Sequence, residues 1–249
     1  MATRVESPLY RLSARFLVVF FIFMVLAFWP SYFARLFEQP NFRFHAHGIL
    51  LTVWCALLFV QPQLLRTGRR GLHRILGKAS YVLAPALVAV TLSFVHYRVG
   101  AGIRPGAPLV LGDLYFLALT LNALAAFAVL YGLAIYYRRD RQVHGRYMLC
   151  TVFPLFTPVT DRLIARHAPE LLRFVPHVDG SPLVQVAGFL LADLILVVLA
   201  LWDWRANQRA NVFPVALGVL LLYHVSVVTL PFAPPWGAFC AWFLGLPLS

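Results

Sequence analysis

Eight histidines stand in a chain of 249 residues that is otherwise poor in polar groups. His45, His47, His96 and His224 fall in or beside apolar runs, and so do Asp113, Asp161 and Asp193. Neutral imidazole ligates haem iron, zinc and copper, and carboxylates complete mixed sites or orient the imidazoles. His47, His96, Asp113 and His224 are therefore the expected ligands of a transition metal (zinc, copper or iron). The three histidines are equally the expected ligands of haem b. Asp161 and Asp193 are the expected proton path, because an ionisable group at membrane depth is costly and marks function by default. For Asp193 the competing expectation is a structural hydrogen bond to Asn122 or Tyr223. His45 and His47 are two residues apart, which turns their rings roughly 200° apart on a helix. Only one of them, His47 by its depth, suits a shared site. The chain contains neither His-Glu-x-x-His nor His-x-x-x-His.

A second group has different chemistry. His73 and His144 each open an apolar segment, among Arg69, Arg70, Arg74, Arg141 and Arg146. Free backbone N–H groups at helix starts favour anions. A phosphate, a lipid headgroup or a haem propionate suits His73, Arg74, His144 and Arg146, and so does a plain basic belt on phospholipid. His167 and His177 lie in a polar connection and are expected to be solvated. Cys55, Cys150 and Cys240 are far apart, each in an apolar stretch, and read as buried free thiols.

These residues need helices to hold them. Seven apolar segments meet the need for roughly 20 residues per span. They run over 16–34, 46–65, 75–97, 109–137, 147–164, 182–204 and 211–231, as one transmembrane domain. Pro154 and Pro158 predict a kink in the fifth. The apolar tail from Trp236 to Leu248 is too short to span; it is expected in the interface or folded back on the bundle. Arg4, Arg11 and Arg15 precede the first segment, but no small-x-small cleavage pattern follows it, so a retained signal anchor is expected. Of the 21 basic residues, 14 fall on the side of the N-terminus and 7 on the other. This bias predicts a cytoplasmic N-terminus and an outer C-terminus, in a bacterial inner membrane. His and Arg recur before the third and fifth segments, which suits either an ancestral two-helix duplication or the common basic interface.

Composition supports the same class. The chain is 61% hydrophobic and 12% charged, against about half and about a quarter for soluble domains. A soluble globular protein, a disordered chain and a fibrous repeat are excluded. The net charge of +12 comes from 20 arginines and Lys78, most of them flanking apolar runs. That pattern points to topology and anionic headgroups, not to nucleic acid. A retinal Schiff base needs a lysine in a late helix, and Lys78 is too early.

The motifs resemble those of a family of uncharacterised bacterial multi-helix membrane proteins. The resemblance rests on His47, then Leu72-His73-Arg74-Ile75-Leu76-Gly77, then His144-Gly145-Arg146-Tyr147-Met148, then Pro158 and Arg162. It covers about 45–165. That family is similar in layout to membrane b-type cytochromes, which implies haem held between paired histidines on neighbouring helices. The outer pair would be His47 with His96, or either with His224; the inner pair would be His73 with His144. His73 and His96 are 23 residues apart, or roughly 35 Å on one helix, too far for efficient electron exchange between two haems. One outer haem or metal with an inner anion or quinone site fits better.

Three functions follow. The first is a redox protein with haem b or another imidazole-bound metal in its outer half. The second is a zinc-dependent membrane hydrolase acting on a lipid, with His47, Asp113 and His224 as ligands. Its helix count resembles that of seven-helix lipid amidases and adiponectin-receptor relatives. However, no Ser stands one turn before the second-helix His, and the seventh helix has one His where two are expected. The third is a transporter, a homo-oligomer or an accessory subunit of a larger membrane complex. In that case Asp193 and Asn122 mark a proton or solute path.

Overall fold

The computed structural model describes residues 6–38, 41–102, 108–178 and 180–248, with side chains from residue 15 onward. Arg4 and Arg104, counted above for orientation, lie outside the described residues, as does the side chain of Arg11. The chain forms α1 (Glu6–Phe28), α2 (Phe42–Arg66), α3 (Arg70–Gly100), α4 (Leu111–Tyr136), α5 (Arg141–Cys150) and α6 (Phe156–His167). These are followed by α7 (Gln185–Asn207), α8 (Phe213–Thr229) and α9 (Pro234–Leu244). A two-stranded antiparallel hairpin, β1 (His177–Val178) with β2 (Ser181–Pro182), precedes α7. Among the described residues, six helical segments are long and apolar enough to cross a membrane: α2, α3, α4, α5 with α6, α7, and α8 with the 3-10 turn that follows it.

Local chemistry explains the boundaries. α1 starts ten residues ahead of the expected apolar run and stops at Phe28, because Pro30 and the residue before it resist helix. Gly68 takes a left-handed φ of 73°, and Arg69 N–H closes back on the Leu64 carbonyl at 2.8 Å. That C-terminal motif needs glycine, and it turns α2 straight back along α3. The fifth expected segment is broken. α5 ends at Cys150, a short 3-10 turn covers Phe153–Leu155, and α6 begins at Phe156. Pro154 has no N–H to give to the turn before it. The fully buried Trp54 of α2 donates its indole N–H to Thr151 Oγ1 (3.3 Å), pinning the break.

Packing around the break makes the core. Phe16 and Phe20 of α1 stack against Phe153 and Phe156. Trp54 meets Phe127 and Tyr131 of α4 edge-on. α4 packs on α5 and α8, while α7 lies between α6 and α8. The tail folds back as α9 against α3 and α4: Trp236 Nε1 donates to the Leu114 carbonyl at 3.2 Å, and Cys240 and Phe243 are buried.

Gly188 sets the closest approach of α6 and α7. A Cβ there would collide with Thr160 Oγ1 and lie 3.4 Å from Thr157 Cα and 3.5 Å from Asp161 Oδ1. Gly188→Val therefore drives the two helices apart. We expect a loss of about 1–3 kcal/mol of stability, read as a lower thermal midpoint in detergent. An unchanged midpoint would show that this contact is loose.

Candidate functional site

Phe189 and Asp193 lie one turn apart on α7, so both face α8. There they meet His224. His224 Nδ1 is 3.1 Å from Asp193 Oδ2, and Phe189 stacks on the imidazole with ring centres 4.0 Å apart. His224 is 5% exposed, and its Nε2 and Asp193 Oδ1 are buried without hydrogen-bond partners. Asp193 is eight residues into α7, about 12 Å, and His224 is five residues from the end of α8, about 7 Å. The sequence reading placed one in a proton path and the other in a ligand set; the fold makes them a pair. The partner of Asp193 is neither Asn122 nor Tyr223: Asn122 donates to the Ala118 carbonyl of its own helix.

Beside this pair, on the α6 side, sit Thr157, Asp161 and Tyr223. Thr157 and Asp161 are one turn apart on α6, and the Tyr223 side chain faces both. Thr157 Oγ1, Asp161 Oδ1 and Tyr223 Oη are buried and lack hydrogen-bond partners of good geometry.

The remaining expected ligands do not join this centre. His47 Nδ1 bonds Thr91 Oγ1 at 3.0 Å, and its ring stacks on Phe94 at 4.6 Å. His96 projects from nearly the opposite side of α3, since Thr91 and Phe94 lie roughly 140° and 200° from it around the helix. It meets Phe243 of α9 edge-on, with both ring nitrogens buried and unpartnered. An outer His47–His96 pair is therefore not formed. Asp113 caps its own helix, where Oδ2 accepts from Val110 N–H at 3.3 Å. Among the described residues, no group of three or more His, Cys, Asp or Glu is arranged to hold a metal ion. The structure does not bring His47, His96, Asp113 and His224 together as one set, nor His47, Asp113 and His224. His45 turns away from His47 as the spacing requires, with Nδ1 3.4 Å from the Tyr32 hydroxyl.

The group of His73, Arg74, His144 and Arg146 also separates. Arg146 is 3% exposed and ion-pairs with Asp203 of α7 at 2.9 Å. Asn207 donates to the same carboxylate oxygen at 2.7 Å. Arg146 is thus an internal ion-pair partner and not a surface anion receptor. The N-terminus of α5 is likewise taken: Asp140 Oδ1 accepts from Gln142 N–H (2.9 Å) and Val143 N–H (3.2 Å). His144 Nδ1 bonds the Ala134 carbonyl at 2.8 Å. His73 lies beside Gln61 and within electrostatic reach of His144. Arg69, Arg70 and Arg74 remain exposed. Sequence reasoning missed Asp203; the available signal was a lone acid near the C-terminal end of an apolar helix, α7.

His167 and His177 are exposed and the three cysteines are buried, as expected. Burial pushes the Cys240 thiol up to about 11, so it stays protonated at neutral pH. No protein-family model matches the chain, and no curated protein or solved structure matches it significantly.

Proposed function

We propose that the protein is an integral membrane protein of proton-coupled transport, in which His224 and Asp193 carry the proton. The observation behind this reading is the 3.1 Å contact between a histidine and an aspartate inside an apolar bundle, each with a second polar atom left unpartnered. A lone charge at that depth is expensive, and a proton taken up by the pair brings its net charge from −1 to 0. The proton rests on the imidazole, as an ion pair with the carboxylate, or on the carboxyl beside neutral imidazole, and its departure leaves neutral imidazole beside carboxylate.

In this reading α1 is a seventh span. Its apolar stretch, among the described side chains, is Arg15–Phe28, and the basic bias gives it a cytoplasmic start in a bacterial inner membrane. Arg69, Arg70 and Arg74 meet anionic headgroups.

A second reading keeps the redox protein. A carboxylate on Nδ1 with Nε2 free is how metal-ligating imidazoles are oriented, and His224 has that arrangement. The similarity to b-type cytochromes and the haem or metal cofactor belong to this reading, in which His224 would be the residue that holds the group.

Infrared difference spectra of the protein in lipid, taken across a pH step, separate the two. Proton carriage gives a titrating carboxyl C=O band that disappears in Asp193→Asn and shifts in His224→Gln. A Soret band or stoichiometric bound metal, with no titrating carboxyl, would overturn it in favour of redox chemistry.

A further inference from the structure

Outside the His224–Asp193 pair, three buried oxygens that lack a hydrogen bond of good geometry meet at one place, where the Tyr223 hydroxyl and Thr157 Oγ1 have only each other and Asp161 nearby. Thr157 is fully buried and Tyr223 is 3% exposed. Asp161 lies near the Tyr223 hydroxyl and close to Gly188 of α7, and its Oδ1 is buried without a hydrogen bond. Each such atom costs free energy unless something fills its valence. The place is also distinctive in the backbone, one turn beyond the break between α5 and α6. Broken helices at membrane depth are tolerated where they line a site, and transporters use them to hold coupling ions.

The donor set selects the ligand. All three atoms are oxygens, which suit hard cations. One carboxylate balances one positive charge, so a monovalent ion fits better than a divalent one. The nearest cation, Arg162, interacts electrostatically with Asp161 but makes its close contacts elsewhere. The Arg162 guanidinium is turned over Phe28 of α1 at 4.3 Å and donates to the Pro158 carbonyl at 2.7 Å. Arg166 reaches toward the Ala27 carbonyl, at 3.4 Å. The partial positive charge at the start of α6 opposes a cation; the full charge of Asp161, one turn further in, outweighs it.

We infer that Thr157, Asp161 and Tyr223 form a binding site for a monovalent cation, sodium in the first instance, at the break in the fifth span. The inference goes beyond the proton pair and stands without it.

The test uses the full chain in detergent, with its thermal midpoint measured in sodium chloride and in choline chloride at equal ionic strength. Sodium at a hundred times its Kd is expected to raise the midpoint by about 5–10 °C. Asp161→Asn removes that rise. Thr157→Val and Tyr223→Phe each shift the sodium titration at least about tenfold, while His224→Gln keeps it. If Asp161→Asn does not fold, Thr157→Val and Tyr223→Phe decide the matter alongside radioactive sodium binding to the native chain. Equal midpoints in the two salts, with no bound sodium, would show that the oxygens hold water and overturn the site. A rise that persists in all three variants would overturn it too. Loss of the Asp193 infrared band has no bearing on the outcome, so the two proposals fail separately.

Discussion

Asp203→Ala is expected to lower the stability of the protein by about 3–5 kcal/mol, the cost of leaving a buried charge without its partner. Arg146 and Asp203 are each 2% exposed at the side chain, and their contact is 2.9 Å. Asn207 Nδ2 and the Gln142 carbonyl supply further hydrogen bonds, at 2.7 Å and 3.1 Å. Removing the carboxylate strands a guanidinium between α5 and α7 with no water to take its place. Arg146→Met is expected to cost less than Asp203→Ala, because the stranded aspartate can take up a proton whereas arginine stays charged. The double variant Arg146→Met with Asp203→Leu should return to within about 1–2 kcal/mol of the native protein. Chemical or thermal unfolding of all variants in one detergent gives the coupling by a double-mutant cycle. Additive losses would show that the two groups do not interact.

The second large effect is on function. His224→Gln and Asp193→Asn are each expected to lower proton flux into proteoliposomes on the order of a hundredfold, the usual loss when a positioned proton carrier is removed. The double variant should be no worse than either single one, because the two groups share one proton and act as a unit. Stability separates this from misfolding. Gln and Asn preserve shape and some hydrogen bonding, so both variants should purify as the native protein does. Flux at native rates in either single variant would remove the pair from the transport path. The Arg146–Asp203 variants make the useful contrast, since they should lose stability first and flux only as the fold weakens.

The class and spans of this protein were legible because membrane solvent imposes a one-dimensional rule. A run of about 20 apolar residues must become a helix, since its backbone finds no other hydrogen bonds in lipid. Pro154 and Pro158 announced trouble in the fifth span for the same local reason, and the break between Cys150 and Phe156 lies there. The two-residue spacing of His45 and His47 ruled out a shared site without any structure, and they indeed contact different partners, Tyr32 and Thr91.

Which polar residues meet was decided only in three dimensions. Depth along a helix can be counted from sequence, and it grouped His47, His96, Asp113 and His224 in one layer. The direction each side chain takes around its helix, and the neighbour it then faces, depend on how helices rotate and pack. That rotation turned His96 toward α9 and His47 toward Thr91, and left Asp113 capping its own helix. It also joined Asp193 to His224, and Arg146 to an aspartate 57 residues away. Sequence by itself determined the membrane-like composition and the long apolar helices, six of them among the described residues, through backbone hydrogen bonding and apolar length. Tertiary structure alone decided the pairs, because a contact between helices is set by shape and charge complementarity across surfaces distant in the chain.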